Sequence, residues 1–504
     1  MENLLAAFDL VFRLDVLLVI LLSSVYGILV GAMPGISATL AVAMLVPITY
    51  FMEPVAALAA ISTAVAMAIF SGDLPGALLR IPGVPASAAY TEESHEMTLK
   101  GQGGTGLMIS LLCSVIGGII GTVALSVLAP TLAKFALAFR YQEYFWLAAI
   151  GLSTAALVAG NSPAKGLISL CVGLMLSTVG LDMITGSPRF TFGSVSMMEG
   201  INFVSVMIGV FAVAEVMRCL THPPRGDTRA SRVQHIDFGK AFRVMWRYKG
   251  QMSIGSTIGI VIGAIPGAGS DIAAWVSYGL SRRLSKTPEL YGTGHPEGIV
   301  SASASNNASS STTWVPSLVF GIPGDSVTAI VIGVLLLKGL EPGPLVFVEN
   351  APLVYSIFVS FFIANLFLIP IGYLSIKLAS QILRVPNTVL MPIVLTFTIV
   401  GAFAINNSMM GVTVALVAGV VSFFMQENDY PVAPLILGMV IGPIIEQSFM
   451  QAMIAQNGSL SAFFSRPLAA GLGILTILIW VSPLIAMIRS NQRRRRQPAE
   501  ASHA

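Results

Sequence analysis

Between Ser301 and Ser326 the chain reads SASASNNASSSTTWVPSLVFGIPGDS, a run of hydroxyl and amide side chains that ends in a Pro-Gly break and lies between long apolar segments. A lipid-facing helix does not carry so many polar groups, because each one left unpaired in hydrocarbon is costly. These side chains must therefore meet packed protein, water or a ligand. Their chemistry suits recognition: hydroxyls and amides can donate to a carboxylate. Their oxygens, with backbone carbonyls freed at a helix break, suit a hard cation such as Na⁺. No Lys or Arg occurs from Glu289 to Leu337. An organic anion held here would be met by backbone N–H groups at broken helix ends, helped by Ser, Thr and Asn. Neutral donors also suit release, since binding must be weak enough for the solute to leave.

Pro removes a backbone donor and Gly permits unusual dihedrals, so a Pro-Gly pair within apolar sequence marks a helix break. The breaks of interest are Gly31-Ala32-Met33-Pro34-Gly35, Ile81-Pro82-Gly83, Gly263-Ala264-Ile265-Pro266-Gly267 and Ile322-Pro323-Gly324. We expect Gly35, Ser37, Pro82, Gly83, Ser87, Gly267, Gly269, Ser270, Asn306, Asn307, Ser309, Pro323, Gly324 and Ser326 to bound a solute site near the bilayer midplane. Asn306, Asn307, Asp271 and Asp325 are the candidate Na⁺ contacts. Two other readings stand beside this one. Small residues also permit tight helix packing, and Asp325, directly after Pro-Gly, suits a helix N-cap as well as a ligand. Asp73, Arg80 and Lys100 read as solvated loop charges, with gate or partner contacts as the alternative.

The elements that must carry these residues follow from composition. Of 504 residues, 55% are hydrophobic and only 10% charged, with a mean hydropathy of +0.83. A soluble domain is nearer a quarter charged, so this chain belongs in a bilayer. Charge-free intervals run from Val16 to Met52, Gly101 to Ala133, Ala351 to Ile376 and Val385 to Gln426. Each is long enough for one or two crossings of about 20 residues. The apolar start, Val16 to Val30, reads as a retained first span and not a cleaved signal. The polar segment TEESHEMTLKGQGG reads as a water-exposed helix and its stop. FGKAFRVMWRYKG mixes basic and aromatic residues like an interfacial helix, with an ordinary loop as the alternative.

The Pro-Gly breaks recur: GAIPG echoes GAMPG, Ile322-Pro323-Gly324 echoes Ile81-Pro82-Gly83, and Leu337-Lys338-Gly339 echoes Leu99-Lys100-Gly101, in the same order and at nearly the same offset. This implies an internal duplication, and paired Gly/Pro-interrupted apolar segments point to a transporter's binding site. The expected fold is an all-α polytopic membrane protein of about 12 transmembrane segments. They form two repeated, inverted halves with broken helices or re-entrant hairpins. The halves are residues 1–219 and 250–490, joined by a basic cytoplasmic linker at 220–249 and followed by a basic tail at 491–504. Equal inverted halves would put linker and tail on opposite faces, yet both are basic; an extra crossing in one half reconciles this with the positive-inside rule. Cys113, Cys171 and Cys219 have no metal spacing, and the five histidines form no metal motif. No nucleophile lies with a base, so an enzyme is disfavoured. No nucleic-acid partner is expected. A polar-lined anion channel is the alternative to a transporter.

The motifs resemble the large membrane subunit of the tripartite tricarboxylate transporters, the TctA family. The resemblance covers nearly the whole chain. It is carried by GAMPG at Gly31, IPGVPASAA at Ile81, PRFTFG at Pro188 and GAIPGAGSDIAAWVSYGLSRRLSKTPE at Gly263. GHPEG at Gly294, SNNAS at Ser305, GIPGDSVTAIVIGVLLLKGLEPGP at Gly321 and YPVAPLILGMVIGP at Tyr430 complete it. The chain departs from many relatives in having only Ser and Ala, and no carboxylate, from Ser301 to Ser305. The resemblance implies a bacterial inner-membrane permease that imports a tricarboxylate or similar carboxylate by secondary transport. No cofactor is implied, and Na⁺ is the expected coupling ion. It also implies two partners, a small four-span TctB-like membrane subunit and a periplasmic TctC-like solute-binding protein.

Overall fold

The computed structural model describes residues 2–33, 37–158, 162–182, 185–221, 236–267, 269–383 and 387–480. Gly35, most of the basic linker and the basic tail lie outside the described residues. Among those described, helix dominates. The one strand pairing joins Gly180–Leu181 to Pro188–Arg189 in antiparallel register. Among the described residues, seven helices are long and apolar enough to cross a membrane: Leu14–Gly31, Pro54–Leu79, Gly103–Ala136, Phe203–Thr221, Ala351–Ala379, Met409–Glu427 and Ala433–Ala455. Other apolar runs are cut into pieces of 10–17 residues, among them Ala38–Tyr50, Ser326–Leu337 and Pro467–Trp480. The all-helical membrane architecture is present, while full-length spans are fewer than the expected total of about 12. Large apolar side chains such as Leu18, Leu22, Val127 and Phe424 are exposed on the outer helices, as a lipid-facing surface requires.

Two helices form the centre. In Pro54–Ser71 every residue from Val55 onward is buried, and in Pro296–Thr312 every residue from Glu297 onward. Neither carries large side chains over most of its length, so their neighbours come close, backbone to backbone. A Cβ at Gly117 would lie 2.2 Å from the Ala304 carbonyl, and one at Gly259 would lie 2.4 Å from that of Ser305. Leu14–Gly31 packs on the other central helix in the same way, a Cβ at Gly31 falling 2.6 Å from the Ala68 Cα. Small-on-small contact is how helices associate where lipid removes the hydrophobic drive.

The two centres are wrapped alike. Helix 103–136 packs on 296–312, and Ala351–Ile382 packs on 54–71. Fine structure recurs at the breaks as well. Arg80 (φ 59°) and Gly321 (φ 68°) are both left-handed residues ending short helices, Asp73–Leu79 and Trp314–Phe320. Gly83 lies against Gly72, and Gly324 against Thr313, each too close to admit a Cβ. The Ser87 hydroxyl donates to the Val84 carbonyl at 2.8 Å, and the Thr328 hydroxyl to that of Asp325 at 3.1 Å.

Phe238–Arg247 is a helix that buries Ala241 and Met245 while exposing Phe238, Phe242 and Trp246, the face pattern of an interfacial helix. The helix Thr91–Leu99 departs from expectation. Its charge suggested exposure to water, yet Thr91, Glu93, Ser94, Met97 and Thr98 are buried. The reason is a clamp. The Glu93 carboxylate accepts from the backbone N–H of Gly292 (2.6 Å), Gly294 (2.7 Å) and His295 (2.8 Å) and from the Tyr278 hydroxyl (2.9 Å). Lys100 adds a bond to the Thr293 carbonyl. A carboxylate satisfied by several donors is stable in a buried site. Glu93→Gln puts an amide donor against this ring of N–H groups. It should cost about 2 kcal/mol or more, seen as a lower midpoint of thermal unfolding in lipid nanodiscs; an unchanged midpoint would remove the clamp's importance.

Candidate functional site

Chain breaks deliver several helix starts to one place. Ala38–Tyr50, Gly269–Leu284, Ser326–Leu337 and Ala433–Ala455 all begin at the wall of a cavity of about 490 Å³. Their first residues line it: Ser37 to Leu40, Ser270 and Asp271, Asp325 to Val327, and Val432 with Ala433. The Pro82-Gly83-Val84-Pro85-Ala86 turn and Asn306 complete much of the remaining wall. The Thr39 and Ser326 hydroxyls meet at 3.0 Å, joining two of the helix starts. The first N–H groups of a helix have no partner within it, and the helix dipole adds partial positive charge there. Several such ends around one cavity make an anion-receptive wall.

The structure gathers many of the expected residues. Ser37, Pro82, Gly83, Ser270, Asp271, Asn306, Asp325 and Ser326 line the cavity. Ser37 also caps its helix, accepting from Leu40 N–H at 3.2 Å. Asp325 is the N-cap that its sequence position allowed, accepting from Thr328 N–H at 2.8 Å, and it also borders the cavity. Others form the layer behind. Gly267 N–H donates to the Pro323 carbonyl at 3.3 Å, tying one break to another. Gly269 (φ 67°) lies beside Asp325, and Gly324 N–H donates to Ser317. Ser87 is buried and bonds within its own turn.

The serine-rich stretch is used differently from its composition. Ser303, Ser310, Thr312 and Thr313 return their hydroxyls to carbonyls one turn earlier. Ser277 and Ser301 bond each other at 2.7 Å. Ser309 faces Gly263 of the neighbouring helix, away from the cavity lining. Asn307 is buried and does not line the cavity, and neither of its amide atoms has a hydrogen-bond partner among the described residues. Asn306 is the residue of Ser301–Thr313 that reaches the wall, with its Oδ1 likewise unpartnered.

A cation from outside residues 289–337 also stands in the wall. Phe203–Thr221 contains a π-helical turn, Gly209–Val213, whose Val210 and Phe211 line the cavity. The extra residue of a π-turn re-aims the side chains that follow, and Glu215 and Arg218 also stand in the wall, paired at 2.8 Å. The available signal was an acid and a base three apart at the end of an otherwise apolar run. Gln426, from Met409–Glu427, was missed for the same reason of sequence distance.

Comparison with known proteins gives a consistent picture. The family model described as the tripartite tricarboxylate transporter TctA family matches residues 17–437. An uncharacterised 52.8 kDa protein in the TAR-I ttuC' 3' region of Agrobacterium vitis is 36% identical over 467 residues, covering 92% of both chains. An uncharacterised protein in the TAR-II ttuC' 3' region of the same organism is 34% identical over 230 residues, 45% of this chain and 95% of its own. No solved structure matches.

The meeting of helix starts is open to a direct check. In a background with Cys113, Cys171 and Cys219 replaced by Ser, the pair Thr39→Cys and Ser326→Cys should cross-link under mild oxidant. Pairing Thr39→Cys with Ser309→Cys should not. Equal cross-linking of both pairs, or of neither, would contradict the arrangement.

Proposed function

The chain belongs to the tripartite tricarboxylate transporter TctA family, and on that premise we propose that it is the permease subunit of a binding-protein-dependent importer that moves a tricarboxylate or related carboxylate together with Na⁺. The observation that carries this reading is the composition of the cavity wall. Among the described residues, four helix starts favour an anion, while three carboxylates, Glu215, Asp271 and Asp325, oppose it and Arg218 alone offsets them. Each helix start contributes about 1 kcal/mol towards a bound anion. A like-charge pair about 5 Å apart at an effective dielectric of about 20 costs about 3 kcal/mol. An anion alone is therefore poorly received. With a cation between Asp271, Asp325 and Asn306, one opposing charge is cancelled and the balance tips toward the anion. That is coupling in the thermodynamic sense, each ion raising the affinity for the other.

Movement follows from the recurring breaks. The like wrapping of helices 54–71 and 296–312, and the matched pairs Arg80/Gly321, Gly83/Gly324 and Ser87/Thr328, support two inverted halves, residues 1–219 and 250–490, joined by the segment 220–249. In such folds the site stays at the interface of the repeats while one bundle rocks or slides against the other. The remaining spans of the expected dozen are then the shorter apolar helices. A TctB-like small membrane subunit and a TctC-like solute-binding protein are the proposed partners. The bacterial inner membrane is the proposed location, with basic linker and tail on the cytoplasmic side.

Asn caps a helix as well as Asp, so Asp325→Asn removes charge and keeps the fold. In proteoliposomes with both partners, Asp325→Asn and Asp271→Asn should each raise the Na⁺ concentration for half-maximal uptake by about tenfold. Asn306→Ala should move it in the same direction. Uptake that keeps its wild-type Na⁺ dependence in all three variants would remove these residues from the cation site.

A further inference from the structure

Asp73 stands at the break between helices Pro54–Ser71 and Asp73–Leu79 and is 2% exposed. It is no solvated loop charge. Its Oδ1 accepts from the Tyr90 hydroxyl at 2.7 Å and its Oδ2 from the Ser110 hydroxyl at 2.5 Å. Among the described residues these are its hydrogen-bond partners, and neither is a cation. Tyr90, itself 1% exposed, has a second neighbour: the Asn306 amide nitrogen lies 3.5 Å from its oxygen. Asn306 lines the cavity and its Oδ1 has no partner among the described residues. A chain of polar contacts thus runs from a carboxyl buried within a spanning segment, through one phenol, to the wall of the solute cavity.

We propose that Asp73 is a second coupling site, which carries a proton during transport and reports its presence to the cavity through Tyr90 and Asn306. An uncompensated carboxylate deep in a membrane protein is expensive, and intramembrane carboxyls that lack a cationic partner are commonly proton carriers. Both oxygens are already held by hydroxyls, and Asp73 does not line the cavity. A proton needs no further ligands, whereas a metal ion needs a shell of oxygens. Charge state changes the donor pattern. Facing a carboxylate, the Tyr90 hydroxyl must donate to it. Facing a carboxylic acid, that hydroxyl can accept instead, and the amide of Asn306 is then free to turn. No covalent step is involved; the proton arrives from and leaves to water as the bundle exposes the site.

Several of the other titratable groups on the elements packed around Asp73 are engaged elsewhere. On Thr91–Leu99, Glu92 pairs with Arg80 at the surface, Glu93 is held by residues 278–295, and the His95 ring meets the Ala77 carbonyl. Glu96 sits by Gly294. Helix 103–136 offers only Cys113 and, in its last turn, Lys134, and helix 54–71 offers none. Glu297, near the start of Asn306's own helix, bonds Gln251 and Ser285.

This inference rests on the transporter reading, so its test has one arm that needs no transport. In lipid-reconstituted protein, infrared difference spectra between acid and alkaline pH should contain the carbonyl band of a buried protonated carboxyl. Asp73→Asn should abolish that band, and Tyr90→Phe should shift it while leaving its intensity. In the second arm, uptake driven by an imposed pH gradient at fixed Na⁺ should fall about tenfold or more in Asp73→Asn and recover in part in Asp73→Glu. Thermal unfolding of each variant separates misfolding from lost coupling. An identical band in wild type and Asp73→Asn, or full pH-driven uptake in a folded Asp73→Asn protein, would overturn the proposal. If wild-type protein moves no carboxylate yet loses its band on Asp73→Asn, the substrate reading fails and the proton site stands.

Discussion

A helix that stops inside a bilayer leaves its first N–H groups without partners, and hydrocarbon offers none. Such an end is tolerable only where it faces water, a ligand or other protein. In this chain the helix starts at Ala38, Gly269, Ser326 and Ala433 are turned toward a single cavity, two of them partly capped by Ser37 and Asp325. Everything else in the fold can be understood as making that arrangement affordable and holding it still. The Pro-Gly turns let the chain reverse without a Cβ in the way, most plainly at Gly83 against Gly72 and at Gly324 against Thr313.

Rigidity around the cavity comes from closeness. Helix 296–312 has Ser, Ala and Asn where a soluble core would have Leu, so Gly117 and Gly259 on its neighbours bring backbone almost against backbone. Hydroxyls folded back on their own carbonyls keep this polar helix compatible with a buried setting. The same closeness excludes water from Asp73 while leaving Asn306 at the cavity wall. On the proposed reading, charge in the cavity and charge at Asp73 are linked because a few polar side chains join them through otherwise dry protein.

Much of this was legible in the sequence, for a definite reason. Pro82, Gly83, Ser270, Asp271, Asp325 and Ser326 interrupt apolar runs, and a bilayer gives such interruptions few explanations. The family resemblance was legible from the same motifs and agrees with the comparisons. What could not be read was orientation across the chain. Successive helical residues point about 100° apart, so Asn306 faces the cavity while adjacent Asn307 and nearby Ser309 do not. Which of them would face it depended on neighbours more than a hundred residues away. Glu215 and Arg218 stood outside the conspicuous stretch, and a π-turn set their direction. The acidic segment at Thr91 looked solvated because its partners, the N–H groups at Gly292, Gly294 and His295, carry no signature in a side-chain string.

On the proposed reading, anion and cation share one cavity and need each other there. Equilibrium binding of labelled mono-, di- and tricarboxylates to the purified, lipid-reconstituted chain, titrated with Na⁺ at constant ionic strength, tests it most directly. At least one carboxylate should bind with an affinity that rises with Na⁺, and the same carboxylate should raise the affinity for Na⁺ by an equal factor. A carboxylate that binds in this cavity with an affinity indifferent to Na⁺ would contradict it.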